Sequence, residues 1–129
     1  MFNNLFGKKE AKEKKEESKI PWIPLTSIEQ LDEIKENSKG RTQMIFKHST
    51  TCGISRMVLN MFGRGFNFAE NRVDLYYLDL HSFREVSNEV AHTFQVFHQS
   101  PQLLIIWNGV VVAHDSHGAI TDIDLNSYI

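Results

Sequence analysis

The stretch Met44-Ile45-Phe46-Lys47-His48-Ser49-Thr50-Thr51-Cys52-Gly53-Ile54-Ser55 runs an apolar strand into a polar turn and then into a helix. Three apolar residues in succession predict a buried strand. The hydroxyls of Thr50 or Thr51 can cap a helix, and the apolar positions after them return at helical spacing. Cys52, the only cysteine of the chain, is then expected in the first helical turn. Unpaired N–H groups and the positive end of the helix dipole favour a thiolate over a thiol at that place. Ser55 stands where the second cysteine of a Cys-x-x-Cys spacing would be. A lone thiol cannot resolve its own mixed disulfide, so a second thiol must come from another molecule. The competing interpretation is a small buried core residue; placement at a strand-to-helix junction favours the reactive thiol.

Around this stretch the pattern alternates strands and helices. Ile20-Pro21-Trp22-Ile23-Pro24-Leu25 predicts an extended or edge segment, because its prolines cannot donate to a ladder. A helix capped by Thr26 or Ser27 follows, with Ile28, Leu31 and Ile34 facing inward and Gly40 at its exit. Gln43 to Lys47 is the central strand. Beyond Cys52, the residues Ile54, Val58, Met61 and Phe62 form one helical stripe, broken by Gly63-Arg64-Gly65. Val73 to Leu80 carries apolar residues on both faces, as a strand covered by helices does. Phe83, Val86, Val90, Phe94 and Phe97 recur at steps of three and four, predicting an amphipathic helix over Ser82 to His98. After Gln99-Ser100-Pro101, two apolar runs flank Asn108-Gly109, the strongest short hairpin signal. Thr121 onward fits a short closing helix with Ile123 and Leu125 or Tyr128 inward.

Composition bounds the rest. A chain of 129 residues supports one domain with a core of its own. Its 41% hydrophobic and 23% charged residues are those of a globular protein, and a net charge of -2 offers no field for gripping nucleic acid. No apolar run is long enough to span a membrane. One cysteine cannot close an internal disulfide, and the first residues lack the apolar core of a signal peptide, so a cytoplasmic location is expected. Residues 1–19, rich in Lys and Glu of mixed sign, are expected to be a flexible tail, and 20–129 the folded domain. Ser49, Thr50 and Thr51 are capping and turn residues, with no acid-base-nucleophile constellation around them, which disfavours a hydrolase. The histidines show only a loose His114-x-x-His117, so no metal site is expected.

The element order, with a cysteine after the central strand and Ser100-Pro101 before the hairpin, resembles the thioredoxin-like fold. That resemblance implies an α/β architecture: a central mixed sheet flanked by helices, with a C-terminal antiparallel hairpin and a short closing helix. It also implies a cis bond at Ser100-Pro101. More narrowly, Phe46-Lys47-His48-Ser49-Thr50-Thr51-Cys52-Gly53-Ile54-Ser55 with Gln99-Ser100-Pro101-Gln102 resembles the bacillithiol-system redox-active (YtxJ-like) family, the monothiol bacilliredoxins. The resemblance implies that Cys52 is an attacking thiolate that removes a bacillithiol-type small thiol from S-thiolated cytosolic proteins. The small thiol is then a co-substrate, and no tightly bound cofactor is expected. The substrate-binding set comprises Thr51 and Gly53 beside the cysteine, Ser55 in the resolving position, and the cations Lys47 and Arg56. Ser100 joins them as a backbone partner for the incoming disulfide, with Pro101 packed beside the sulfur. Each cation can favour the thiolate or bind a carboxylate, or can simply be a solvated charge. Gly53, where some relatives carry proline, leaves open an iron-sulfur carrier of monothiol-glutaredoxin type, and a non-catalytic binding module on the same fold is a further alternative.

Overall fold

The computed structural model describes residues 20–68 and 71–129. The expected tail over residues 1–19 lies outside the described residues. Strand β1 (Ile23–Pro24) is followed by α1 (Glu29–Asn37), β2 (Thr42–His48), α2 (Gly53–Gly65), β3 (Val73–Asp79), α3 (Arg84–Phe94), β4 (Gln102–Trp107) and β5 (Val110–Ser116). The sheet order is β1-β3-β2-β4-β5. Strands β1, β3 and β2 run parallel, while β4 and β5 are antiparallel to their neighbours. The expected mixed sheet with a terminal hairpin is therefore what the chain builds, and the proline-bearing β1 lies at an edge, where a missing N–H costs no ladder bond.

Every residue of β2 is buried, because it has a strand on either side and helices on both faces. Alternation sends Met44 and Phe46 to one face, where Val58 and Phe62 of α2 pack with Leu75 and Leu103. Ile45 points to the other face, among Leu31 and Ile34 of α1 and Val86, Val90 and Phe94 of α3. Trp22 closes the first cluster, its ring 6.1 Å from Phe46 and 5.9 Å from Phe62. The hairpin turns on Asn108 and Gly109, with φ of 55° and 83°, the paired positive angles that let Asn-Gly match the twist of the two strands. Ser38 clasps this turn: its carbonyl accepts from Asn108 N–H and its hydroxyl from Gly109 N–H, both at 2.8 Å.

Several local expectations are corrected. The α1 cap is made in reverse, the Gln30 side chain reaching back to accept the N–H groups of Thr26 and Ser27 at 2.8 and 3.0 Å. Ile28, before that helix, is exposed rather than inward. Helix α3 is shorter than its stripe: Gln95 adopts a left-handed conformation with φ 55° and ends it, which leaves Phe97 92% exposed while Val96 turns inward. The short closing helix takes the form of two 3₁₀ segments, His117–Asp122 and Leu125–Tyr128. They set Ile120, Ile123, Leu125 and Tyr128 against the α2-side core. The Thr42 hydroxyl donates to the Tyr128 carbonyl and ties this end of the chain to the central strand.

Candidate functional site

Parallel pairing places the carboxyl ends of β2 and β3 side by side, His48 opposite Asp79, and the turns that leave them meet above the sheet. The first turn carries the cysteine. Cys52 N–H donates to the Ser49 carbonyl at 3.3 Å, and the Cys52 carbonyl accepts the first helical bond, from Arg56 N–H at 3.2 Å. Cys52 itself is the N-cap of α2, in extended conformation with φ -105° and ψ 120°. No threonine hydroxyl caps this helix, which corrects the expected Thr50 or Thr51 cap. The thiol is partly buried and unpaired with any other cysteine.

Two histidines hold this turn. Ser55, with no exposure, turns its hydroxyl to His48 Nδ1 at 2.9 Å and accepts the Ser49 N–H at 3.0 Å. In the resolving position it is thus an inner clasp joining β2, the turn and α2. On the rim, His81 Nε2 meets the hydroxyls of Ser49 at 2.8 Å and Thr51 at 3.2 Å. The other ring nitrogen lies 3.3 Å from Arg84 Nη2. A guanidinium only donates, so Nδ1 accepts, and the ring donates through Nε2 to the two hydroxyls. Asp79 sets the histidine in place: its carboxylate accepts the N–H groups of His81 and Ser82 and the Ser82 hydroxyl. Burial raises the Asp79 pKa, but the Ser82 hydroxyl and the Ser82 and His81 N–H groups outweigh it, leaving the carboxyl below its ordinary value. His48 lies below its usual value, chiefly through burial, helped by Arg56 and opposed by Asp79.

The remaining site residues fall in different places. Arg56 is exposed, and its guanidinium donates to the Thr50 carbonyl at 3.4 Å. Thr51 and Gly53 are exposed on either side of Cys52. Lys47 has no exposure at all; it points to the α3 side of the sheet, where its ammonium donates to the Ser87 carbonyl at 3.2 Å and to His98 Nδ1 at 3.3 Å. Burial lowers its pKa from 10.5 to about 8, and burial together with Lys47 and Arg84 lowers that of His98. The Ser100–Pro101 bond is cis. Pro101 precedes β4, whose Gln102 pairs with Lys47, so this segment lies at the same end of the sheet as the cysteine turn. The Pro101 carbonyl accepts from His117 N–H at 3.0 Å. Ser100 Oγ and Gln102 Oε1 are buried there without a hydrogen-bond partner among the described residues.

Sequence reasoning missed His81, Arg84 and Asp79 as parts of this arrangement. The usable signal was topological: adjacent parallel strands bring their carboxyl-end turns together, and Asp79-Leu80-His81-Ser82 follows such a strand with the spacing of an aspartate that caps its own turn. Among the described residues, no group of three or more His, Cys, Asp or Glu side chains is arranged to hold a metal ion, and no helix is long and apolar enough to cross a membrane.

A thioredoxin fold with one cysteine at the head of the helix after the central strand defines a thiol redox protein. Its sequence matches the monothiol bacilliredoxin BrxC family over residues 23–125, and the chain belongs to that family. A solved candidate oxidoreductase with a thioredoxin fold is 32% identical, with a TM-score of 0.70 over 83% of this chain and 92% of its own. The thioredoxin of Malassezia sympodialis is 16% identical, with a TM-score of 0.65 over 81% and 88% of the two chains. The reduced thioredoxin pre-protein of Schistosoma mansoni, also 16% identical, has a TM-score of 0.63 over 84% and 98%. These last two speak for the fold alone.

Proposed function

We propose that this chain removes a small thiol of the bacillithiol type from S-thiolated proteins, with Cys52 as the attacking thiolate. The observation that carries the reading is the site's single sulfur: Cys52 heads α2 partly exposed, while the resolving position holds Ser55, whose hydroxyl is engaged inward by His48 and Ser49. The Cys52 thiolate attacks the small-thiol sulfur of the mixed disulfide, the S–S bond between that sulfur and the protein's cysteine breaks, and the protein leaves as a thiolate that takes a proton from water. Cys52 is now disulfide-bonded to the small thiol. A second small thiol, as its thiolate, attacks that adduct; Cys52 is released and the two small thiols leave as their oxidised disulfide. Each cycle reduces one mixed disulfide to the free protein thiol and consumes one free small thiol, the product disulfide taking its other half from the adduct. Arg56 on the Thr50 carbonyl adds positive potential beside the thiolate.

The test follows release of protein thiol from a purified protein carrying one bacillithiol adduct, with intact-mass detection of the adduct on Cys52. Wild type should take up the adduct. Cys52→Ser should release no thiol while keeping the wild-type circular dichroism spectrum. Release at the wild-type rate by folded Cys52→Ser would reject the mechanism.

A further inference from the structure

Helix α2 has two apolar stripes where one would suffice to hold it. Val58 and Phe62 face the sheet and are buried. Ile54, Met57 and Met61, spaced so that they lie along one line of the helix, face away from it and are 54%, 54% and 46% exposed. A surface helix ordinarily turns charged and polar residues outward. The exposed stripe starts two residues after Cys52 and runs to a cleft of about 210 Å³ whose apolar walls include Met61, Phe68 and Leu125. The charges on α2 are Arg56 and Arg64, both exposed, with no acidic residue among its thirteen. Asp124 at the cleft spends its carboxylate on its own turn, accepting from Asn126 N–H and the Ser127 hydroxyl.

We propose that the Ile54–Met57–Met61 stripe docks the protein half of the mixed disulfide, as a segment with acidic residues near the modified cysteine and an apolar side chain seated toward the cleft. The proposal rests on Cys52 being the attacking thiol. From Cys52 to Met61 the helix advances roughly 14 Å at about 1.5 Å per residue. An extended chain covers that in about four residues at about 3.3 Å each. The apolar anchor therefore belongs about four positions from the modified cysteine, with the carboxylates beside that cysteine meeting Arg56. A small polar thiol has no apolar surface to match three large side chains. Methionines adapt to differently shaped partners, so one stripe can serve many proteins that share this character.

The experiment uses pre-reduced full-length protein and three disulfide probes. Two are peptides with one cysteine joined to 2-mercaptoethanol, one with glutamates beside the cysteine and leucine four residues away on either side, the other with lysines and serine at those positions. The third is bis(2-hydroxyethyl) disulfide, which has nothing to dock. The wild-type second-order rate constant should be at least tenfold higher for the Leu/Glu peptide than for the Ser/Lys peptide. Met57→Ser/Met61→Ser, a pair of surface changes, should bring the two peptides within twofold of each other and leave bis(2-hydroxyethyl) disulfide unaffected. Equal wild-type rates on the two peptides, with normal reaction on the third probe, would overturn the docking surface alone. Absence of reaction with all three would overturn the role of Cys52 and the docking surface with it. A solution dimer that the double variant dissociates would assign the stripe to self-association and overturn the proposal.

Discussion

At the scale of single residues, the buried hydroxyl of Ser55 and the buried ammonium of Lys47 show how far position overrides type. Serine at the resolving position suggests a hydroxyl facing the thiol, yet its partners are His48 Nδ1 and Ser49 N–H. Removing it strands a ring nitrogen and an amide that are both buried. Unsatisfied buried polar groups cost about 1–3 kcal/mol. Ser55→Ala is therefore expected to lower unfolding free energy by about that amount. Thiol transfer should survive far better than in Cys52→Ser, because the nucleophile is untouched. Urea denaturation followed by tryptophan fluorescence checks the first expectation, and an unchanged midpoint would show that the hydroxyl does not hold the turn. Lys47 reads in sequence as one more cation beside the cysteine, but strand alternation carries it to the opposite face, against Ser87 and His98.

At the scale of elements, α2 decides both the site and its surroundings. Its first residue, Gly53, has open space where a Cβ would stand and no positive φ. An alanine there loses less backbone entropy on folding, so Gly53→Ala should stabilise the protein by about 0.4–1 kcal/mol with Cys52 still reactive. A higher urea midpoint with an unchanged alkylation rate of Cys52 is the expected result; a slower alkylation would mean that approach to the sulfur needs the bare backbone. The helical period of α2 was legible, but its inward and outward faces were not. Ile54 and Met61 fit the same amphipathic spacing as Val58 and Phe62, and period alone does not say where the covering neighbours stop. Helix α3 shows the same gap: the step from Phe94 to Phe97 continues a helical rhythm, and only the left-handed turn at Gln95 reveals that the backbone has left the helix.

At the scale of the whole molecule, burial of cations and rings sets the response to pH. His48 and His98 lie below their ordinary value of 6.5, and Lys47 falls from 10.5 to about 8, burial leading in each case. The unfolded chain then binds more protons than the folded one, below about pH 6.5 for the histidines and between about 8 and 10.5 for Lys47. Stability rises with pH in both windows: it is lost on acidification through the first and gained on going up through the second. Tyr76 and Tyr77, held above their usual 10.0 mainly by burial, oppose the gain near pH 10, so the second rise is best read between pH 8 and 9.5. Lys47→Met keeps the unbranched stem and removes the charge. It should abolish that rise and add up to about 3 kcal/mol at pH 7, the equivalent of the fall from 10.5 to about 8. Urea midpoints of both proteins at pH 7, 8 and 9.5 test this, and parallel curves would refute it.

The order of strands and helices, the Asn108-Gly109 hairpin and the cysteine at the head of a helix were all determined by the sequence by itself, because spacing and turn chemistry are local. So was the family resemblance, which lies in one contiguous motif and a downstream proline. Tertiary structure decided what depends on pairing between distant segments. The β2–β3 register brings His48 and Asp79 together, and the turn after β3 swings His81 and Arg84 onto Ser49 and Thr51. It also decided that Lys47 is buried and that Ile54, Met57 and Met61 are not. Side-chain exposure is set by what packs over a residue, and in this chain the packing partners lie dozens of positions away.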